Sequence, residues 1–430
     1  MIKKNKINIL KKLKDRNILY QMTNKKKLFT ILNEKNINLY CGFDLTADSL
    51  HIGHLIQLFT LKYFQELGHK PIIVLGGATS LIGDPSFKFK KRKMNSIDII
   101  NIWFYKISIQ IKNILDFNCG ENSAIIINNY DWFHKINILF FLRKIGKYFY
   151  VNNMINKDFI KNRMINKEIN GISFTELSYN LLQSYDFAYL NKNFNVILQL
   201  GGSDQWGNIT SGIDLIKKMY KKKVFGITTN LIIKNDGTKF GKTEKKTIWL
   251  DKNKTSPYKF FQFWLNIPDS LIFKFLYMFT NLELETINDL KKKKNNIKKN
   301  SPQFLLAEYM TKKIHGEYNL ILSKKITNIL FYKKIQDLSK NDYSILFNNI
   351  NNIIIDNNKI FSLQEVLILS KFASSYSQAS KLITSNSIYI NNEKISIISF
   401  VFTKYHKKFN HFTLLRKGKK NFCLIYWKLI

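Results

Sequence analysis

Tyr40-Cys41-Gly42-Phe43-Asp44, followed after a polar run by Ser49-Leu50-His51-Ile52-Gly53-His54, is the stretch from which the rest of the chain can be read. Leu39 to Phe43 is short, apolar and β-favouring, and Asp44 to Asp48 ends it, so a strand turning into a helix is expected. Ser49 is the expected N-cap, with Leu50, Leu55 and Leu58 as the buried stripe of that helix. His51 and His54 then share one face of its first turn. Such a turn offers unpaired backbone N–H groups and the positive end of the helix dipole, surroundings that suit polyphosphate. On its own, a His-x-x-His on a solvated turn has many bland explanations. A second cluster changes the balance: Asp236-Gly237 signals a turn ahead of Lys239-Phe240-Gly241-Lys242-Thr243, where two lysines and a hydroxyl flank a glycine. Mobile cations of this kind suit a departing pyrophosphate.

From Leu39 to about Ile233, short apolar runs at Pro71 to Leu75, Ala124 to Ile127 and Val196 to Leu200 alternate with helical stretches at Leu50 to Leu67 and Thr175 to Tyr189. Alternation of this kind predicts an α/β fold with a Rossmann-like parallel sheet. Ligands of such sheets sit beyond the carboxyl ends of the strands, which is where Asp44, Asp84, Asn129 and Gly201 to Gln205 fall. Leu271 to Leu330 has amphipathic helical spacing, residues 341–359 are polar and of low complexity, and Phe361 to Ile430 reads as compact again. The expected organisation is a catalytic domain over 1–245, a helical domain over 246–340, a linker over 341–360 and a small α+β domain over 361–430.

The 430 residues carry 68 Lys and Arg against 30 Asp and Glu, a formal charge of +38. A field of that size favours polyanions, nucleic acid among them. Lys, Asn and Ile abound throughout, however, so the charge does not locate the binding surface. The three cysteines, Cys41, Cys119 and Cys423, form neither a CxxC pair nor a disulfide spacing, which fits a reducing compartment. No apolar run approaches a membrane span, and Met1 to Lys14 lacks the apolar core of a signal peptide.

Thr175 to Tyr189 is the most informative helix. Tyr179, Gln183 and Asp186 stand at i, i+4 and i+7, so hydrogen-bonding groups occupy the face that would be apolar on an ordinary buried helix. Either that face is solvated or it lines a cleft whose ligand supplies the partners.

Tyr40 to Gly53, Leu81-Ile82-Gly83-Asp84-Pro85-Ser86, Asn129-Tyr130-Asp131-Trp132, Gly171 to Glu176, Gly201-Gly202-Ser203-Asp204-Gln205-Trp206-Gly207-Asn208 and Lys239 to Glu244 together resemble the bacterial tyrosyl-tRNA synthetases, class I aminoacyl-tRNA synthetases. The likeness runs in the same order from about Ile9 to Trp427. It implies activation of L-tyrosine by ATP to tyrosyl-adenylate and pyrophosphate, then transfer to the 3′ end of tRNA(Tyr). No acid, base or nucleophile of the protein is then needed, because the substrate carboxylate itself attacks the α-phosphorus. His51, His54, Lys239, Lys242 and Thr243 are the implied catalytic groups, Mg2+ enters on the ATP phosphates, and no dedicated metal ligands are expected. The resemblance assigns Tyr40 and Asp186 to the substrate phenol and Asp84, Tyr179 and Gln183 to its ammonium group, with Gln205 also in the tyrosine site. Cys41, Asp44, Gly53, His54, Gly202, Asp204 and Lys242 face the nucleotide, Cys41 as a ribose contact. Lys88 and Arg92 are implied contacts of the tRNA end.

Ser362 to Leu367, Gln378 to Ile383 and Ile388 to Asn391 resemble the small RNA-binding domain named after the fourth ribosomal small-subunit protein. Lys381, Arg416 and Lys417 are its expected RNA contacts, whereas Tyr376 and Ser380 stand where arginines are usual. Two further departures are Leu45 in place of a proline and Lys245-Lys246 in place of small residues. The family also implies a cytoplasmic homodimer with an interface around Asn129 to Gly146, where Phe133, Leu139, Phe140 and Leu142 supply apolar surface. A tryptophanyl enzyme shares the fold but not Tyr40 and Asp186; an RNA-binding protein with a decayed synthetase site is the alternative from another class.

Overall fold

In the computed structural model, which describes residues 8–84, 95–155, 172–232, 247–292 and 301–428, the apolar runs of the first half pair into one six-stranded sheet. Its strands are β1 (Leu19–Met22), β2 (Asn38–Asp44), β3 (Lys70–Gly76), β4 (Ile125–Asn128), β5 (Val196–Gly202) and β6 (Phe225–Thr229), in the order β1-β6-β5-β2-β3-β4. All neighbours from β6 to β4 are parallel, and β1 closes the edge antiparallel to β6. Helices cover the sheet, so the central strands must be apolar on both faces: β3 is buried from Pro71 to Gly76. The chain builds β2, β3 and β4 in one direction and then returns to lay β5 on the other side of β2. Ligand-binding crevices of open parallel sheets form at such a reversal, beyond the carboxyl ends of the strands.

The entrance to the helix after β2 differs from expectation. Ser49 is not its cap. Its hydroxyl donates to the Leu50 carbonyl at 2.8 Å and accepts the Asp251 amide at 3.2 Å. His51 caps instead, its Nδ1 accepting the Gly53 N–H at 3.0 Å, while His54 Nδ1 accepts the His51 N–H at 3.2 Å. One tight turn, Ile52–His54, precedes the α-helix Leu55–Glu66, in which Leu55 and Leu58 are buried as expected.

The chain divides into two compact units, Met1–Thr255 with Phe263–Ile314, and Ser256–Gln262 with His315–Ile430. Residues 246–340 are helical at Pro257–Leu265, Asp269–Phe279, Leu284–Lys292 and Pro302–Phe331, but they are shared between the two units and do not form a third. The reason is visible at Asp269–Phe279, whose carboxyl end is held by the first unit's own amino-terminal helix. Arg16 Nη1 donates to the Thr280 carbonyl at 2.6 Å and Arg16 Nη2 to that of Leu282 at 2.7 Å.

The expected linker over 341–360 is also structured. It forms the helix Lys340–Asn349 and the strand β7 (Asn351–Asp356), which pairs parallel to the last strand of a second sheet. That sheet, in the order β7-β11-β10-β8-β9, contains β8 (Ile388–Ile390), β9 (Glu393–Ile395), β10 (Phe412–Lys417) and β11 (Asn421–Lys428). The helices Leu363–Leu369 and Tyr376–Thr384 pack on it through Leu363, Val366, Leu367, Ala379 and Ile383, all buried against Ile425 and Trp427.

Candidate active site

One cleft of about 220 Å³ opens at the carboxyl ends of β2, β3 and β5. Tyr40, Cys41, Asp44, His51, Gly53, His54, Asp84, Tyr179, Gln183, Asp186, Gly202, Asp204 and Gln205 all line it. They come from five separated segments of the sequence. Lys239, Lys242, Thr243, Lys88, Arg92 and the Lys245-Lys246 pair lie outside the described residues.

The helix Phe174–Phe194 supplies the floor. A reciprocal cap, Ser173 with Glu176, fixes its start and thereby the phase of its polar stripe. Asp186, 4 % exposed, accepts Trp132 Nε1 at 3.0 Å on one oxygen and Asn129 Nδ2 at 3.1 Å on the other. Burial raises its carboxyl to about 8; the Asn129 and Trp132 hydrogen bonds oppose the shift, and the nearby Asp44 charge adds to it. Above the floor sits Tyr40, 1 % exposed, whose ring packs on Phe187 with centroids 5.2 Å apart. Its hydroxyl is buried and has no hydrogen-bond partner among the described residues. Burial first, and the Asp186 charge second, hold this phenol well above its usual pKa.

Two hydrogen-bonded chains form the walls. In the first, Tyr179 Oη donates to Asp44 Oδ2 at 2.9 Å, Thr79 Oγ1 donates to Asp44 Oδ1 at 2.9 Å, and Asn129 Nδ2 donates to Thr79 Oγ1 at 3.1 Å. Gly76 leaves room for this arrangement: a Cβ there would collide with the Thr79 hydroxyl and lie 2.6 Å from Asp44 Oδ1. The second runs from Asp84 Oδ2, which accepts Gln205 Nε2 at 2.7 Å, through Asn208 Nδ2, which donates to Gln205 Oε1 at 3.1 Å and to Gln183 Oε1 at 3.0 Å. Each functional side chain is thus oriented by another.

At the mouth, the His51 and His54 rings stack at 3.9 Å with planes 20° apart. Both Nδ1 atoms accept a backbone N–H, so each neutral imidazole carries its proton on Nε2. Cys41 is buried, which raises its thiol and keeps it from acting as a thiolate nucleophile.

Three further lining residues, Thr79, Gln57 and Gln199, have no role assigned from the sequence, nor has Trp132, which meets the site through Asp186. Gln57 Oε1 and Gln199 Oε1 are buried without a partner among the described residues, like the Tyr40 hydroxyl. The available signal was a glutamine inside an otherwise apolar segment, Val196-Ile197-Leu198-Gln199-Leu200 and Leu55-Ile56-Gln57-Leu58.

In the second unit Lys381 is exposed on the helix Tyr376–Thr384. Arg416 instead lies over the Tyr389 ring at 4.0 Å, and Lys417 Nζ donates to the Phe372 carbonyl at 2.7 Å. The charges left exposed at that hairpin are Lys419 and Lys420. Ser380, where an arginine is usual, accepts Gln364 Nε2 at 2.7 Å.

Residues 32–332 match the family described as tRNA synthetases class I (W and Y), and residues 342–425 match the tyrosine--tRNA ligase SYY-like C-terminal domain. The tyrosine--tRNA ligase of Buchnera aphidicola subsp. Schizaphis graminum (strain Sg) is 51 % identical over 424 residues, covering 98 % of this chain and 100 % of the relative. That of Escherichia coli O8 (strain IAI1) is 51 % identical over 422 residues, covering 98 % and 99 %. Among solved structures, the C-terminally truncated mitochondrial tyrosyl-tRNA synthetase of Aspergillus nidulans superposes with a TM-score of 0.67 at 29 % identity, covering 77 % of this chain and 96 % of that one.

Proposed function

Since the chain belongs to the tyrosyl-tRNA synthetases of class I, enzymes that activate tyrosine with ATP and charge tRNA, we propose that the cleft holds tyrosine with its phenol at the floor and its carboxylate toward the mouth. The observation that carries this pose is the Tyr40 hydroxyl: buried, facing the cleft and without a partner among the described residues, beside a buried carboxylate already oriented by Trp132 and Asn129. A substrate phenol completes both, accepting from Tyr40 and donating to Asp186. An analogue without the hydroxyl leaves the Tyr40 hydroxyl unpaired and Asp186 one donor short, a rule for which tyrosyl-tRNA synthetases are themselves the reference case at about 10⁵ in discrimination.

Asp84, Tyr179 and Gln183, with Gln205, surround the substrate ammonium in this pose. The carboxylate then attacks the α-phosphorus of ATP and pyrophosphate leaves, so the protein has to align reactants and stabilise developing charge. His51 and His54 offer Nε2–H donors to the polyphosphate, and Lys239, Lys242 and Thr243 are assigned to the leaving group by their match to the family motif. Cys41, Asp44, Gly53, Gly202 and Asp204 border the nucleotide. Among the described residues no group of three or more His, Cys, Asp or Glu could hold a metal. Mg2+ is assigned to the triphosphate, where it would neutralise phosphate charge.

For RNA, Lys88, Arg92 and Lys381 are assigned as contacts, with Arg416 and Lys417 contributing once released from their internal partners. A homodimer is inferred from the helix Ile138–Lys144, where Leu139 is 73 % and Phe140 51 % exposed, with Leu142 beside them. Phe133 is half-buried against Phe141 and Tyr185 and belongs to the core. Among the described residues no helix is long and apolar enough to cross a membrane, and the family supports a cytoplasmic location.

Tyrosine-dependent exchange of labelled pyrophosphate into ATP, with phenylalanine and tryptophan as controls, tests the pose. Exchange with tyrosine alone is expected. Exchange with phenylalanine at a comparable rate would refute the phenol-reading floor.

A further inference from the structure

Residues 248–251 run antiparallel to residues 49–52. The Ile52 amide donates to the Ile248 carbonyl at 3.2 Å, the Leu250 amide to the Leu50 carbonyl at 2.8 Å, and the Asp251 amide to Ser49 Oγ at 3.2 Å. The pairing brings Trp249 opposite His51, with ring centroids 6.2 Å apart and planes inclined by 57°. His51 is therefore held by a hydrogen bond from the Gly53 amide to Nδ1, by the His54 ring on one face, and by the Trp249 indole. Gly53 permits this placement, because a Cβ there would stand 2.8 Å from His51 Cε1.

Trp249 is itself held in place. Its amide donates to Thr255 Oγ1 at 3.0 Å, and the Lys254 ammonium lies 5.1 Å from its ring centroid. Lys254 is fixed by Asp48 Oδ1 at 2.5 Å, while the other Asp48 oxygen pairs with Lys106 at 3.2 Å. Partial burial opposes ionisation of Asp48, and Lys254 and Lys106 more than offset it, so the carboxyl sits below its usual range. A file of contacts thus runs from Lys106 through Asp48, Lys254 and Trp249 to an imidazole of the cleft. An indole filling space alone would not require an ion pair to hold a cation over its face.

Resting on the polyphosphate role assigned to His51, we propose that Trp249 is a positioning residue: it sets the tilt of the His51 ring, and hence the direction of its Nε2–H, with Lys254 and Asp48 setting the indole. Trp249 touches no reacting atom in this scheme. Its removal costs rate through misalignment of His51 and leaves the tyrosine floor as it was.

The test is a double-mutant cycle in pyrophosphate exchange with the full chain. Trp249→Leu is expected to lower kcat by about 10- to 100-fold, a range typical of misplaced catalytic groups, with KM for tyrosine unchanged. In a His51→Ala background the same substitution should have no further effect. Lys254→Met, on a half-exposed side chain, guards against a folding defect: it should cost roughly 2- to 5-fold, again only while His51 is present. An unchanged kcat, or an equal loss with and without His51, would overturn the positioning role. If the unsubstituted chain showed no tyrosine-dependent exchange, the proposed function would fail instead.

Discussion

Trp132 donates its indole N–H to Asp186 Oδ1 at 3.0 Å beneath the cleft, and this bond, with that from Asn129, only partly opposes the burial that drives the carboxyl up to about 8. The folded-state value lies above that of an unfolded aspartate, about 3.9. Asp186 therefore contributes stability that is fully present below about pH 4 and is lost as pH rises through about 8, because over that window the unfolded chain sheds a proton the folded chain keeps. Asp186→Asn has no proton to shed. Urea unfolding of ligand-free protein at pH 5 and pH 8.5 should show the stability difference, variant minus unsubstituted, becoming more favourable at the higher pH. A pH-independent difference would mean that Asp186 is ionised throughout.

Tyr40→Phe separates binding from folding. The hydroxyl has no partner among the described residues, so its loss removes no hydrogen bond to them and deletes a buried polar atom. Stability should be unchanged or raised by up to about 1 kcal/mol. Selectivity for tyrosine over phenylalanine in pyrophosphate exchange should fall by about 10-fold, the worth of one neutral hydrogen bond. Lost stability with intact selectivity would place the hydroxyl outside the substrate's reach.

Thr79 joins the two ends of the tyrosine site, donating to Asp44 and accepting from Asn129, which also holds Asp186. Thr79→Val keeps the shape and leaves a half-buried Asp44 oxygen and a buried Asn129 N–H each with one hydrogen bond fewer. The expected cost is about 1–3 kcal/mol in stability. KM for tyrosine should rise more than KM for ATP, because the network meets the tyrosine at both ends, through Asp186 and Tyr179, and the nucleotide at Asp44 alone. Equal rises would assign Thr79 a general packing role.

The central sheet could be read directly, because a parallel strand covered on both faces must be apolar along its length, as Val196 to Leu200 and Pro71 to Leu75 nearly are. The same rule obscured Gln199 and Gln57, whose polar atoms stand in apolar surroundings only because they face a cleft. The stripe of Tyr179, Gln183 and Asp186 was readable as a face, but what that face met depended on Asn129, Trp132 and Asn208, residues brought in from other elements. His51 escaped notice as a cap because an imidazole nitrogen can do what serine oxygen usually does at that position. Asn351–Asp356 looked like a linker because an edge strand is bonded on one side only; its exposed Asn351, Asn352 and Ile354 carry no alternating apolar signal.

Five consecutive apolar residues, Ile138 to Leu142, stand in a chain whose net charge is +38, and Phe141 alone among them turns inward. Its neighbours Ile138 and Leu142 line one apolar groove with Tyr130, Phe133 and Phe174, and Phe174 is 76 % exposed. Leaving so much contiguous apolar surface in water is unfavourable by roughly 25 cal/mol per Å², so a covering partner is expected. A second copy is the partner that a self-complementary apolar face selects under two-fold symmetry, since each groove meets the other's exposed rings. Phe140→Glu would set a carboxylate against its symmetry mate within that face. Light scattering should show the unsubstituted chain as a dimer and the variant as a monomer of unchanged helix content. A unsubstituted chain that is monomeric at micromolar concentration would leave this surface to some other partner.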